Sequence, residues 1–195
     1  MKNRNKVALC ILLCTVAHYV SYSQDKKTIV ALNGSAMFSR SGSIYNNGYG
    51  ANGAVYFPIS PSFNIGPELS YAHILSGLST GPNHLDPVSV RMQLLYFPER
   101  LLSKNVKTSS TFLKGLYFNA GIGHSFSSSA FTDDILLNTA SWGIGYLMPV
   151  KENAINIQLG INAFSPNSNF TDQQISRSGL YSITIGYSWI TRNKN

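Results

Sequence analysis

The chain is predicted to be all-β: an eight-stranded antiparallel up-and-down transmembrane β-barrel preceded by a cleavable signal peptide. Three observations predict it. Eight successive segments alternate apolar and polar residues, the polar phase of those segments is almost free of charge, and a short basic-then-apolar leader opens the chain. Charged residues make up 12% of the 195 residues while the hydrophobic fraction is 44%; soluble domains carry roughly 25% charged residues at a similar apolar content.

The leader comes first. Lys2, Arg4 and Lys6 form a basic region, Val7 to Val20 an apolar stretch, and Ser21-Tyr22-Ser23 places small residues where a signal peptidase reads them, so the cut is expected after Ser23. The apolar stretch is shorter than the roughly 20 residues a spanning helix needs. Both cysteines, Cys10 and Cys14, lie inside it, and Leu9 and Leu13 stand where an acylated cysteine would need a small residue. Residues 24–195 therefore form one cysteine-free barrel domain with neither disulfides nor thiolate metal ligands. The net charge of +7 includes the three basic residues of the leader, and what remains is too mild to argue for nucleic acid.

The first strand spans Thr28 to Ser39, with Val30, Leu32, Gly34, Ala36 and Phe38 on one face and Asn33 and Ser35 on the other. Tyr49 to Phe57 sets Tyr49, Ala51, Gly53, Val55 and Phe57 against Asn52, Ala54 and Tyr56. Phe63 to His73 sets Phe63, Ile65, Leu69 and Tyr71 against Asn64, Gly66, Glu68 and Ser70. The fourth segment, Ser89 to Phe97, turns Val90, Met92, Leu94 and Tyr96 one way and Arg91 and Gln93 the other. In Leu116 to Phe126, Leu116, Phe118, Ala120, Ile122 and Phe126 oppose Tyr117, Asn119, Gly121, Gly123 and Ser125. Asn138 to Met148 places Ala140, Trp142, Ile144, Tyr146 and Met148 opposite Thr139, Ser141, Gly143 and Gly145. Ile155 to Ala163 alternates isoleucine and leucine with Asn156, Gln158, Gly160 and Asn162. Leu180 to Ile190 is the most regular, with Tyr181, Ile183, Ile185, Tyr187 and Trp189 against Ser182, Thr184, Gly186 and Ser188.

Alternation alone leaves a soluble lipocalin-like barrel or a sandwich open, because either would turn the same apolar face inward. The polar phase separates them. A water-exposed surface carries roughly 25 to 35% Lys, Arg, Glu and Asp, yet here Gly, Ser, Asn, Thr and Gln dominate and Glu68 and Arg91 are the only charges. Such a face suits a confined lumen. The apolar phase then meets lipid, with aromatic girdles at both ends: Phe38, Tyr49, Phe57, Phe63, Tyr71, Tyr96, Phe126, Tyr146, Tyr181 and Trp189 are the expected rim. Glu68 and Arg91 lie at similar distances from their shared loop and are expected to pair inside the barrel. Arginine at Ile144 is expected to cost roughly 2 to 4 kcal/mol near the bilayer midplane, and serine at Gly143 less.

An even strand count puts both termini on the periplasmic side, with Pro58 to Ser62, Pro98 to Lys114 and Pro149 to Ala154 as periplasmic connections. Arg40 to Gly48, Ile74 to Val88, Ser127 to Leu137 and Phe164 to Gly179 are then external loops. Periplasmic connections come out basic and external ones acidic, through Asp86, Asp133, Asp134 and Asp172. The turn 98–114 is long for its side of the barrel. Pro67 removes a ladder donor and is expected to mark a bulge.

The stretch Tyr56 to Tyr71, the strand Tyr117-Phe118-Asn119-Ala120-Gly121-Ile122-Gly123 and the closing Gly186-Tyr187-Ser188-Trp189 resemble the outer-membrane protein β-barrel domain family, whose small members are OmpX- and OmpA-type barrels. The resemblance implies outer-membrane localisation, outer-membrane lipid as surroundings, and recognition of a terminal-strand aromatic by the barrel-assembly machinery. Trp189 would be that residue, although Ile190 to Asn195 extend past it.

Barrels of this size include lipid A deacylases, which need a lipid-facing histidine two residues from a serine so that a base reaches a hydroxyl. His124 precedes Ser125 directly, and adjacent strand residues face opposite sides. His84 and Asp86 read as loop polarity, too few for a metal site. No catalytic, metal or cofactor residue is assigned and no ligand is named. The expected role is a non-enzymatic outer-membrane barrel acting in envelope integrity or surface interaction through its external loops; a lipid A-modifying acyl hydrolase and a narrow pore are the alternatives.

Overall fold

In hydrocarbon a strand is tolerable only if both its edges are paired, and the fold meets that demand by closing on itself. A computed structural model describes residues 27–39, 45–76, 84–98, 115–129, 132–166 and 178–191. It contains β1 (Thr28–Ser39), β2 (Tyr45–Pro58), β3 (Phe63–Ser76), β4 (His84–Leu85), β5 (Pro87–Tyr96), β6 (Leu116–Ser129), β7 (Thr132–Val150), β8 (Asn153–Pro166) and β9 (Ser178–Thr191). Neighbours in sequence pair antiparallel except β4 and β5, which both pair with β3, and β1 pairs with β9 without a break from Thr28↔Thr191 to Ser39↔Leu180. The short β4 continues β5 along the same edge of β3, with Ile74↔Leu85 and Tyr71↔Val88 in one register. The nine segments therefore make eight staves of a closed barrel.

Period 2 decides which side each residue takes. The outward phase carries large apolar side chains open to the surroundings around the whole circumference, among them Leu32, Leu69, Val90, Ile122, Trp142, Leu159 and Ile185. Water-soluble monomers rarely expose a contiguous apolar patch beyond a few hundred Å², so a continuous belt marks a transmembrane barrel. All eight predicted strands are present and each is turned as its sequence phase requires.

Several connections are shorter than the sequence reading makes them. The stretch Ser127 to Leu137, expected as an external loop, is largely a hairpin arm: Ser127 pairs with Ile135 and Ser129 with Thr132. Alternation marks only the strand that crosses lipid, and backbone pairing continues past it. Pro149 to Ala154 narrows to a two-residue turn, Lys151-Glu152, with Lys151 at φ 56°. In the turn 59–62, the Ser60 hydroxyl accepts from the Phe63 amide at 3.1 Å, and the Ile59 amide donates to the Phe63 carbonyl at 2.9 Å. The external loop assigned to Ile74 to Val88 is also trimmed, because β3 runs to Ser76 and the chain rejoins the sheet at His84. The signal peptide and most of the long turn 98–114 lie outside the described residues.

Pro67 does not bulge the strand. Its register with β5 is unbroken through Gly66↔Gln93, Pro67↔Met92 and Glu68↔Arg91. On the β2 side pairing lapses at Pro67 and Gly66 and resumes in the same register at Phe57↔Ile65. The missing donor thus costs ladder bonds without shifting the strand, because Gly66 lets β2 come close: a Cβ there would lie 1.7 Å from the Val55 carbonyl oxygen.

The inward phase is packed by matching large side chains to glycine. A Cβ on Gly121 would fall 2.4 Å from the Gln93 side chain, one on Gly145 2.1 Å from the Tyr117 ring, and one on Gly186 2.1 Å from Asn33 Oδ1. Gly143 is tighter than the sequence reading allows, since its Cβ would sit 2.4 Å from the Leu159 backbone carbonyl. Serine at Gly143 is therefore not a mild change. Forced overpacking costs about 1 to 3 kcal/mol, comparable to the roughly 2 to 4 kcal/mol for arginine at lipid-facing Ile144. By contrast, Gly34 faces outward and has nothing closer than 4.0 Å. Urea unfolding in lipid bilayers should show losses of that size for Gly143→Ser and Ile144→Arg, and a change within about 0.5 kcal/mol for Gly34→Ala.

Candidate functional site

The lumen is layered. At the periplasmic end Ile29, Ala31, Ala54, Tyr56, Leu95, Phe97 and Tyr117 form an apolar plug, with the Phe97 and Tyr117 rings 5.7 Å apart. At the external end Met37, Ala72, Ile74, Leu85, Phe164 and Leu180 form a second plug. Between them lies a polar layer whose centre is the charge pair. Glu68 and Arg91 are register partners on β3 and β5, 6% and 8% exposed, and the arginine Nε donates to Glu68 Oε1 at 2.9 Å.

A buried pair is stable only if its remaining donors and acceptors are met, and here they are. Asn52 Nδ2 donates to Glu68 Oε2 at 3.1 Å, and Arg91 Nη1 crosses the lumen to Asn162 Oδ1 at 2.7 Å. Asn162 in turn donates to the Ser182 hydroxyl at 3.1 Å. Nearer the periplasm, the Tyr117 hydroxyl donates to Asn156 Oδ1 at 2.6 Å and Asn156 Nδ2 donates to Asn33 Oδ1 at 3.0 Å. These bonds tie opposite staves together across the barrel. A cavity of about 30 Å³ bordered by Asn52, Glu68, Arg91 and Asn162 has room for little more than a water or two.

The ten aromatic residues assigned to the rim all lie on the outward phase. Phe38, Tyr49, Tyr71, Phe126 and Tyr181 surround the external end and are well exposed, and Phe57, Phe63, Tyr96, Tyr146 and Trp189 surround the periplasmic end. Phe63 stacks on Tyr96 at 4.9 Å, and Tyr96 on Phe118 at 6.3 Å, along one rung of β3, β5 and β6. Phe118 and Tyr187, the latter edge-on to Trp189 at 5.0 Å, join the girdle although the sequence reading left them out. His124 faces outward and Ser125 is fully buried inside, against Ser89; the two stand on opposite sides of the wall.

A second polar group stands at the external rim, where His73 and Tyr71 join the His84 and Asp86 that the sequence reading takes as loop polarity. Register places Asp86 opposite His73. Its Oδ1 lies 2.7 Å from His73 Nδ1 and accepts from the Tyr71 hydroxyl at 3.1 Å, while Oδ2 lies 3.2 Å from His84 Nε2. The two imidazoles stack with centroids 5.1 Å apart, and Tyr49 packs against His73 at the same distance. Among the described residues no group of three side chains is placed to hold a metal ion. A signal was present in the alternation, which puts His73, His84 and Asp86 in one phase, but the intervening turn hid the register.

Comparison with solved structures finds other β-barrels. The chain is similar to the outer membrane protein OprG from Pseudomonas aeruginosa, at 10% identity over 86% of this chain and 97% of that one with a TM-score of 0.45. It is similar to the N-terminal β-barrel domain of Pseudomonas aeruginosa OprF, at 14% identity over 85% and 98% with a TM-score of 0.44. It is likewise similar to Ail, the attachment invasion locus protein of Yersinia pestis, at 11% identity over 86% and 99% with a TM-score of 0.44. No protein-family model and no curated protein sequence matches the chain.

Two outcomes follow from this geometry. Removing one partner of a buried ion pair strands the other, so Glu68→Ala is expected to cost about 3 to 5 kcal/mol. Adding Arg91→Met should restore at least half of that loss in the same urea unfolding measurement. At the rim, burial alone would raise the Asp86 carboxyl, but hydrogen bonds from His73 and Tyr71 and the charge of both imidazoles outweigh it and hold it below its ordinary value. A depressed folded value means that the rim contact contributes above the ordinary aspartate range and is lost as pH falls through the lowered value. Carboxyl-carbon NMR titration should find Asp86 below that range, and moved back up in Tyr71→Phe.

Proposed function

We propose that this chain is a small integral outer-membrane barrel, non-enzymatic, that contributes to envelope integrity or surface interaction through its external end. The observation that carries the reading is the double closure of the lumen: two apolar plugs flank a polar layer in which every charge is paired. A wall with a filled interior has only its outer face and its ends available for work.

The outer-membrane setting is supported by the apolar belt, because closed β-sheet is the one alternative to helices that hydrocarbon permits, and by the leader at the start of the chain. The non-enzymatic reading is supported by the opposite facing of His124 and Ser125, which keeps a base from a neighbouring hydroxyl. The plugs weigh against the narrow-pore reading. Lipid surrounding the belt and the barrel-assembly machinery during biogenesis are the partners this role requires.

The test has three parts. Fractionation should recover the protein in the outer membrane with heat-modifiable gel migration, planar-bilayer recordings should lack stepwise conductance, and lipid A mass spectra should be identical with and without the gene product. A soluble folded monomer would overturn the location, a defined conductance would establish the pore, and a lost or gained acyl chain would establish the hydrolase.

A further inference from the structure

The external end holds a segment whose two sides do different things. In β4 and the residue after it, His84 and Asp86 point outward and Leu85 points inward. Leu85 is 9% exposed and belongs to the outer plug with Met37, Ile74, Phe164 and Leu180. Among the described residues the segment has little backbone pairing. It makes two register pairs with β3, Ile74↔Leu85 and Leu75↔His84, and pairing with β6 begins only at Pro87↔Ser127. Pro87, fully buried, has no N–H to extend the ladder and separates this piece from the strand proper. Among the described residues, what holds it from outside is the Asp86 carboxylate, bonded to Tyr71 and His73 of β3 and placed beside its own neighbour His84.

We propose that His84 to Asp86 form a strap that closes the external mouth of the lumen, with Leu85 as its inward stopper and the contacts of Asp86 to Tyr71 and His73 as its outward latch. Releasing the latch lets the segment swing about the Asp86-Pro87 junction and withdraws Leu85 from the plug. Water and small polar solutes then reach the layer around Arg91 and Glu68 from outside, while the periplasmic plug keeps the membrane sealed. Among the described residues the groups that contact Asp86 are Tyr71 and His73 of β3 and His84 itself, and Tyr49 of β2 packs against His73. The strap therefore gives access to a chamber rather than a passage through the barrel.

Thiol accessibility tests this in the full chain carrying Cys10→Ser and Cys14→Ser. The reporter is Ser182→Cys, a buried position beside Asn162, treated from the external side with a small charged methanethiosulfonate and read by peptide mass mapping. With the latch intact the reporter should react slowly. Asp86→Asn should speed it roughly tenfold or more, the factor that loss of one charge-assisted hydrogen bond gives an opening equilibrium. A second arm adds Leu75→Cys and His84→Cys, a register pair, so that oxidation fastens the strap covalently: the oxidised form should protect the reporter, and reduction followed by removal of the reductant should release it. Heat-modifiable migration establishes folding of each variant, and the crosslinked arm decides the matter if Asp86→Asn does not fold. Reporter rates that ignore both Asp86→Asn and the state of the crosslink would overturn the proposal.

Discussion

The rest of this structure depends on one constraint: in hydrocarbon, no backbone amide or carbonyl can be left without a partner. It is met by the seam between β1 and β9, which pairs the first strand with the last along its whole length. Once the sheet is closed there is no edge, and each residue has only two places to go. Composition of the two phases then fixes which is inside. Between the two plugs, large apolar side chains such as Leu69, Val90 and Ile185 face out, and Asn52, Glu68, Arg91, Asn162 and Ser182 face in.

Closing eight staves leaves a lumen about as wide as the side chains that fill it, and this second constraint explains the glycines of the inward phase. Gln93, Tyr117 and Asn33 each extend into space that a Cβ on Gly121, Gly145 or Gly186 would occupy. The long side chains can then reach across and bond to distant staves, as Arg91 does to Asn162 and Tyr117 to Asn156. A charge pair in such a place would be costly alone. Embedded in that network, it has a partner for each side of the carboxylate and for both ends of the guanidinium.

The barrel was legible in the sequence because the physics that selects it has period 2. Every strand that crosses lipid must alternate, so eight alternating segments announced eight staves, and the facing of Glu68 and Arg91 followed from the same count. Legibility stopped where that requirement stops. Past the alternating segments the ladder goes on, through Ser127↔Ile135, where the sequence no longer follows period 2. Pro67 misled for a related reason: proline removes a donor, but whether a strand bulges depends on how near its neighbour can come, and that was set by Gly66 on the adjoining residue. The two plugs were legible only in part: Tyr56 and Tyr117 stand in the polar phase of their segments and so belong inside, but that they share a layer with Ile29, Ala31 and Phe97 shows only when the staves are wrapped around them.

The external rim applies the same parity at the point where the membrane ends. Alternation that sorts lipid from lumen in the middle of the barrel here sends His84 and Asp86 to the outer surface and Leu85 into the plug. Chemistry on the outside of the wall is thereby coupled to packing on the inside by a single peptide unit, with no group needing to cross the sheet. The coupling falls where the ladder is interrupted, at Asp86 and by the missing N–H of Pro87. Where β3 loses pairing with β2, at Gly66 and Pro67, it keeps its register and stays paired with β5 on the other edge. A barrel built to be rigid through its membrane span can thus keep one movable element, provided that element lies beyond the lipid, where water can satisfy the backbone groups it releases.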